Sequence, residues 1–331
     1  MIKRYNLRDM GRCFIGIHHT QAIDTLRSNI HACKDFMETY RLINLIFLCS
    51  VNVFFTFAGL FLNSVVIICL WKSAQLRKGT GNFMILVLST CDLIVVGVGH
   101  PSIIFSTVSW STADTKHKAS HSECEHRCHK YGLSGIAILA TDYTQGFAMT
   151  AFLAVTIDRF LAITRPLFHK IHVTKRRLLA ILVALQLLII VIRLSRFFKE
   201  FKTIYDGAAI AIPATEIILL AGMNCKMCRI AANTRRKKQA TKMQTALLKT
   251  NCTCLLTAAC FFVCVIPFVV YIVLRSTSTG LSKDTLMLIR LWSGTSLNMS
   301  STFNSVIFFW RNEKLRKAGN TPLPGCLKLE R

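Results

Sequence analysis

Charged residues gather in clusters along this chain, and long stretches between the clusters carry almost none. From Leu42 to Trp71 no residue is charged, and from Gly79 to Ala113 the only charge is Asp92. Tyr131 to Ile157 holds only Asp142, Leu178 to Ile192 none, and Gly207 to Cys225 only Glu216. Thr250 to Leu274 and Leu291 to Trp310 are uncharged. About 20 apolar residues in helix cross a bilayer core, because lipid offers no partner to an unpaired backbone N–H or C=O. The pattern predicts an all-α membrane protein, a bundle of seven transmembrane helices. The fourth stretch, 15 residues long, is shorter than the bilayer demands. Arg193 and Arg196 could lengthen it by snorkelling to the interface.

Composition agrees. Of 331 residues, 52 % are hydrophobic and 17 % charged, which excludes a disordered chain and argues against an ordinary soluble domain. The net charge of +25 would suit nucleic acid if the bases formed one patch. They lie between the spans instead, as topology signals, and no nucleic-acid partner is expected. The segments after spans one, three and five, with the C-terminal tail, carry 23 Lys and Arg against 11 after spans two, four and six. The richer set is expected in the cytoplasm, which puts the C terminus inside and the N terminus outside, in a multi-pass plasma-membrane protein. The first 41 residues hold 7 bases and run against that rule. No apolar run precedes the first span, so no cleavable signal is read, and Met10 or Met37 could be the start. The expected organisation is an extracellular tail over 1–41, a seven-span domain over 42–310, and an amphipathic helix with a short cytoplasmic tail over 311–331. There is no internal repeat, and no loop is long enough to fold alone.

Several short motifs recur in these spans. The third ends in Thr156-Ile-Asp158-Arg159-Phe160, and Pro166-Leu167 follows. By itself, an Asp-Arg pair there could be an interfacial anchor. Span one holds Gly59-Leu-Phe-Leu-Asn63-Ser-Val-Val, span two Leu88-Ser-Thr-Cys-Asp92-Leu with Pro101 beyond, and span five Pro213. Span six holds Phe261-Phe-Val-Cys-Val265-Ile-Pro267, span seven Asn304-Ser305-Val-Ile-Phe308, then Arg311-Asn-Glu-Lys-Leu-Arg-Lys317. In this order the motifs resemble those of rhodopsin-like G-protein-coupled receptors, over roughly 53–317. The resemblance implies an extracellular ligand, a heterotrimeric G protein as partner and no enzymatic activity. Asp158, Arg159, Phe160, Pro166 and Leu167 would serve coupling. Asn63, Asp92, Pro213, Phe261, Pro267, Asn304 and Phe308 would form the activation core, and 311–317 the short eighth helix along the inner leaflet.

A carboxyl in mid-membrane is costly and must find partners inside the bundle. Asn63, Ser300 and Asn304 are the candidates for Asp92. The resemblance implies a sodium ion at Asp92, Ser300 and Asn304, although Ala148 stands where the family offers a serine. The plain alternative is a neutral, hydrogen-bonded Asp that joins helices. Pro213 and Pro267 remove helix hydrogen bonds and permit kinks, either static or acting as hinges. Val265 stands in place of the family's tryptophan, Ser305 of a proline, and Phe308 of a tyrosine. The usual disulfide of the family is excluded, since Ser134 occupies its first position and the loop from Ser195 to Asp206 has no Cys.

Around the first outer loop lie His117, His121, Cys124, His126, Cys128 and His129. Zinc binding, a local disulfide, and a bridge to Cys13 or Cys33 are all open, with the disulfides favoured because the spacing is not a zinc-finger pattern. Arg235-Arg-Lys-Lys238 suffices as a topology signal on anionic lipid, and Cys326 could be palmitoylated. For the ligand pocket the resemblance points to Thr141, Asp142, Arg290 and Asn298. Asp142 lies one residue past the position where amine receptors carry an acid, about 100° around the helix. Asn298 replaces the lysine of photopigments. An acidic ligand at Arg290 is one expectation, and an interface anchor is the other. The alternatives to a signalling receptor are a receptor-like protein that has lost signalling and, with neither repeats nor broken helices to support it, a transporter.

Overall fold

A computed structural model describes residues 21–73, 79–117, 133–236, 242–277, 280–312 and 316. Among the described residues the regular structure is helical and no strand occurs. The long helices are α1 (Gln21–Lys72), α2 (Thr80–Ile94), α3 (His100–His117), α4 (Leu133–Thr164), α6 (Lys175–Leu194), α7 (Lys202–Arg236), α8 (Lys242–Ser276) and α9 (Lys283–Arg311), with a short α5 (Pro166–His172) after α4. Six stretches are long and apolar enough to cross a membrane: Glu38–Lys72, Thr80–Thr112, Gly135–Thr164, Lys175–Leu194, Thr203–Asn233 and Cys252–Ser276. The protein thus has the character of a helical membrane protein.

The chain divides into two compact units, residues 1–51 and 52–331. In the first, α1 is already helical from Gln21, well before the expected start of the span at Leu42. Its polar side chains fold back onto the helix. Asn44 Nδ2 donates to the Tyr40 carbonyl at 2.9 Å, and Ser50 Oγ donates to the Ile46 carbonyl at 2.9 Å. Residues 1–20 lie outside the described residues, as do the Cys/His cluster over 121–129 and the tail from 317. The outer-loop metal and disulfide readings therefore stay as sequence expectations.

In the second unit local chemistry sets the element ends. Pro101 has no N–H for the carbonyl of the preceding turn, and its ring crowds that turn. The wide turn Val95–Gly99, between α2 and α3, absorbs the misfit. Pro166 opens α5 at a position where its missing N–H costs nothing. Thr174 caps α6 by accepting from the Arg177 N–H at 3.3 Å. Ser282 caps α9 by accepting from the Thr285 N–H at 3.1 Å, with Asp284 in the first turn favouring the positive end of the helix dipole. Pro213 and Pro267 lie inside α7 and α8.

The fourth stretch is longer than its 15 uncharged residues. Helix α6 runs 20 residues because Lys175, Arg176 and Arg177 form its first turn rather than a loop. At 1.5 Å per residue it spans about 30 Å, enough for a bilayer core.

The core centres on α4. Met149, Phe152 and Val155 pack with Met84 and Leu88 of α2, Leu220 of α7, Phe261 and Val265 of α8, and Leu297 and Phe308 of α9. The Phe152 and Phe261 rings stack at 4.5 Å. Outward faces are apolar: Phe54, Phe57, Phe61, Leu187, Ile218 and Val263 are all exposed. Buried side chains include Asn63, Asp92, Asn298, Asn304 and Ser305. Polar groups inside and large apolar groups outside suit lipid as the surrounding solvent.

Candidate functional site

Three polar layers lie along the second unit. The first is at the end of α4. Asp158 is fully buried and takes His169 Nε2 of α5 at 2.8 Å, while Arg159 sits 3.2 Å from the same carboxyl. The arginine contact is an ion pair without hydrogen-bond alignment, since neither Asp158 Oδ2 nor Arg159 Nη2 has a hydrogen-bond partner. The guanidinium lies against Gly81 of α2 so closely that a Cβ there would fall 1.6 Å from Nη2. Cys254 of α8 lies within electrostatic reach of both Asp158 and Arg159. Arg159 is thus packed against α2 but bonded to no neighbouring helix. Beside it, Lys226 Nζ stands over the Phe160 ring at 5.5 Å, and Pro166 and Leu167 are exposed, with Leu167 at 77 %.

The second layer joins α1, α2 and α9. Asn304 Nδ2 donates to Asp92 Oδ2 at 3.3 Å, and Ser301 lies beside the same carboxyl. Asn63 Nδ2 donates to the Gly59 carbonyl at 2.9 Å and the Ser301 carbonyl at 3.4 Å, and its Oδ1 accepts from Ser305 Oγ. So Asn63 meets α9 and not Asp92. Ser300, the serine expected near Asp92, donates to the Leu297 carbonyl of its own helix at 2.6 Å. The buried hydroxyl of Ser89, one turn before Asp92 in the chain, has no hydrogen-bond partner. A carboxyl with a serine hydroxyl and an asparagine amide oxygen at hand offers oxygen donors of the kind a small hard cation such as sodium takes. Of the expected set, Asn304 meets Asp92, and Ser301 rather than Ser300 lies at the carboxyl. Gly59 allows α1 close in, because a Cβ there would meet Thr302 Oγ1 and Val96 at 2.6 Å.

The third layer holds the expected pocket residues. Arg290 of α9 donates to Asp142 of α4 at 2.7 Å. Asp142 therefore reaches across to α9, and the Arg290 charge expected to await an acidic ligand is already matched within the chain. Thr141 Oγ1 is spent on the Ala137 carbonyl at 2.9 Å. Asn298 is fully buried with both amide atoms unpartnered, close against Gly99 and near Thr144.

Several residues escaped the sequence reading. His100 Nδ1 lies 2.6 Å from Asn52 Oδ1, whose Nδ2 donates to Thr295 Oγ1 at 2.9 Å, so α1, α3 and α9 are tied together. The available signal was a histidine and an asparagine in spans where a polar group must find a partner. His169 and Gly81 gave no such signal, because their roles depend on which helices pack together. Glu216, with Asp142 and Arg290 one of the charges expected nearest the ligand pocket, accepts from Thr150 Oγ1 at 2.8 Å. Pro213 and Glu216 line a cavity between α4, α6, α7 and α8. Among the described residues no three His, Cys, Asp or Glu side chains gather as a metal site.

No family model matches this chain, and no curated protein matches it significantly.

Proposed function

We propose that this protein is a rhodopsin-like G-protein-coupled receptor of the plasma membrane. In this reading α9 crosses the bilayer as the seventh span. The N terminus is outside, the C terminus and the Asp158–Arg159 pair are in the cytosol, and residues 311–317 lie as a short eighth helix on the inner leaflet. An extracellular ligand favours a state in which α8 swings outward at Pro267 and Arg159 engages a heterotrimeric G protein.

The observation that carries the reading is the Arg159 contact. Its guanidinium packs against Gly81 of α2 and is held only by a 3.2 Å ion pair, without hydrogen-bond alignment, to Asp158 of its own helix. No hydrogen bond to another helix has to break before it can engage a partner. The exposed Leu167 offers an apolar contact to an α-subunit. The Asp92–Asn304 and Asn63–Ser305 contacts tie α9 to α2 and α1, so a change at the outer end is transmitted along a helix rather than a loop. Sodium at Asp92 belongs to the same proposal, with Asn304 and Ser301 as its neighbouring oxygen donors.

Membranes holding the chain should stimulate GTP loading of a G protein, with ligand or constitutively. Arg159→Ala should abolish that while surface expression is unchanged; undiminished coupling in that variant would defeat the assignment. A receptor-like protein without signalling is the second reading. It is favoured by the Asn63–Ser305 hydrogen bond, which fixes α9 where the family carries a proline, and by buried Phe308, which has no hydroxyl to offer an active state.

A further inference from the structure

Among the cysteine side chains described, Cys225 and Cys228 of α7 are the exposed ones. Cys69, Cys91 and Cys264 are buried, and the other four are half-buried. Three residues apart on a helix, Cys225 and Cys228 share one face. Their neighbours Asn224 and Met227 are buried on the other side. Ile218 and Gly222 lie on the same outer stripe as Cys225, and both are exposed. Nothing stands within 4 Å of where a Gly222 Cβ would be. Among the described residues no third His, Cys, Asp or Glu joins the two thiols as a metal ligand.

Their depth follows from length and charge. Thr203 opens the membrane-capable stretch of α7. Cys225 lies 22 residues on, about 33 Å of helix, where a hydrocarbon core of about 30 Å has just ended. Lys226 is the first charge after Glu216, and Arg229 follows. Both thiols thus sit at the lipid headgroup boundary, on a face that meets lipid. Side chains on a helix lean toward its N terminus. That direction runs back into the bilayer here, over the open surface at Gly222 and the exposed Ile218. A thiol at this level on such a face is placed for lipidation.

We propose that Cys225 and Cys228 are both S-acylated by a long-chain acyl-coenzyme A, with each chain lying along α7 toward Gly222 and Ile218. Each sulfur attacks the thioester carbonyl of the donor. The new S–C bond forms as the bond to the coenzyme A sulfur breaks, and that sulfur takes up the proton. The reaction is acyl transfer, with no oxidant or reductant. It rests on the proposed orientation, in which this end of α7 faces the cytosol and its acyl-coenzyme A. Two chains would fix the inner end of α7 to the leaflet, beside the bases Arg235-Arg-Lys-Lys238.

The test uses the full chain expressed in cells, with Cys326→Ser throughout so that the tail contributes nothing. Free thiols are blocked, thioesters are cleaved with hydroxylamine, and the thiols released are tagged with a polyethylene glycol maleimide and counted by gel shift. Two hydroxylamine-dependent tags are expected at this site. Cys225→Ser and Cys228→Ser should each remove one and the double variant both, while Cys260→Ser removes none. Serine at these exposed positions should leave the unfolding temperature in detergent unchanged. No hydroxylamine-dependent tag, or the same number of tags in the double variant, overturns the proposal. Nucleotide exchange on the same membranes separates it from the receptor reading. Tags lost in the double variant without any exchange keep the acylation and count against the receptor. Exchange without tags does the reverse.

Discussion

Helices α6 and α9 solve opposite problems. Helix α6 buries only Leu178, Leu182, Gln186 and Ile189, and most of the rest of its surface is exposed Leu, Ile and Val. Helix α9 buries thirteen residues, nine of them Gly, Ser, Thr or Asn. The first has the apolar character of a membrane span and the second does not meet it. With α9 read as the proposed seventh span, hydropathy reports contact with lipid rather than passage through it. A peripheral helix must be apolar over most of its circumference. A central one can carry polar groups wherever neighbours take up their hydrogen bonds, and small residues let backbones approach.

That contrast can be broken by exchanging the two environments. The largest effect is expected from a charge on the lipid-facing side of α6. Leu187→Arg, near the middle of the helix, should cost about 2.5–3.5 kcal/mol of insertion, read as the inserted fraction in a glycosylation assay. Next comes crowding where α1 meets α9. Gly59→Leu drives a side chain into Thr302 and Val96 and should lower stability by about 1–3 kcal/mol, measured as loss of folded protein on heating in detergent. Smaller again is the loss of one polar contact of α9. Asn304→Ala should cost about 0.6 kcal/mol, the usual worth of a hydrogen bond between membrane helices, seen as a small fall in the same unfolding temperature. Least of all, Leu187→Ile should change neither insertion nor stability, because lipid accepts either side chain.

Much of this was legible in the sequence. Charge-free length marked every membrane-capable stretch, since a charge in lipid is costly wherever it falls. It misjudged α6, because Lys175, Arg176 and Arg177 are helical and only look like a loop when counted as charges. Candidate residues were found by type but not by angle. Ser300 and Ser301 are equally polar, yet one position is about 100° of rotation, and it is Ser301 that meets Asp92. Asp142 and Arg290 are 148 residues apart in the chain, and only the packing of α4 on α9 joins them. The Asn52–His100–Thr295 tie was hidden for the same reason.

Glycosylation mapping of the two ends of α9 tests the central claim most directly. An acceptor site is placed in the segment before Lys283 and, separately, in the tail after Arg311. If α9 crosses as the seventh span, the first is modified and the second is not. Modification of both would leave α9 uncrossed and the tail outside, and would contradict the receptor account.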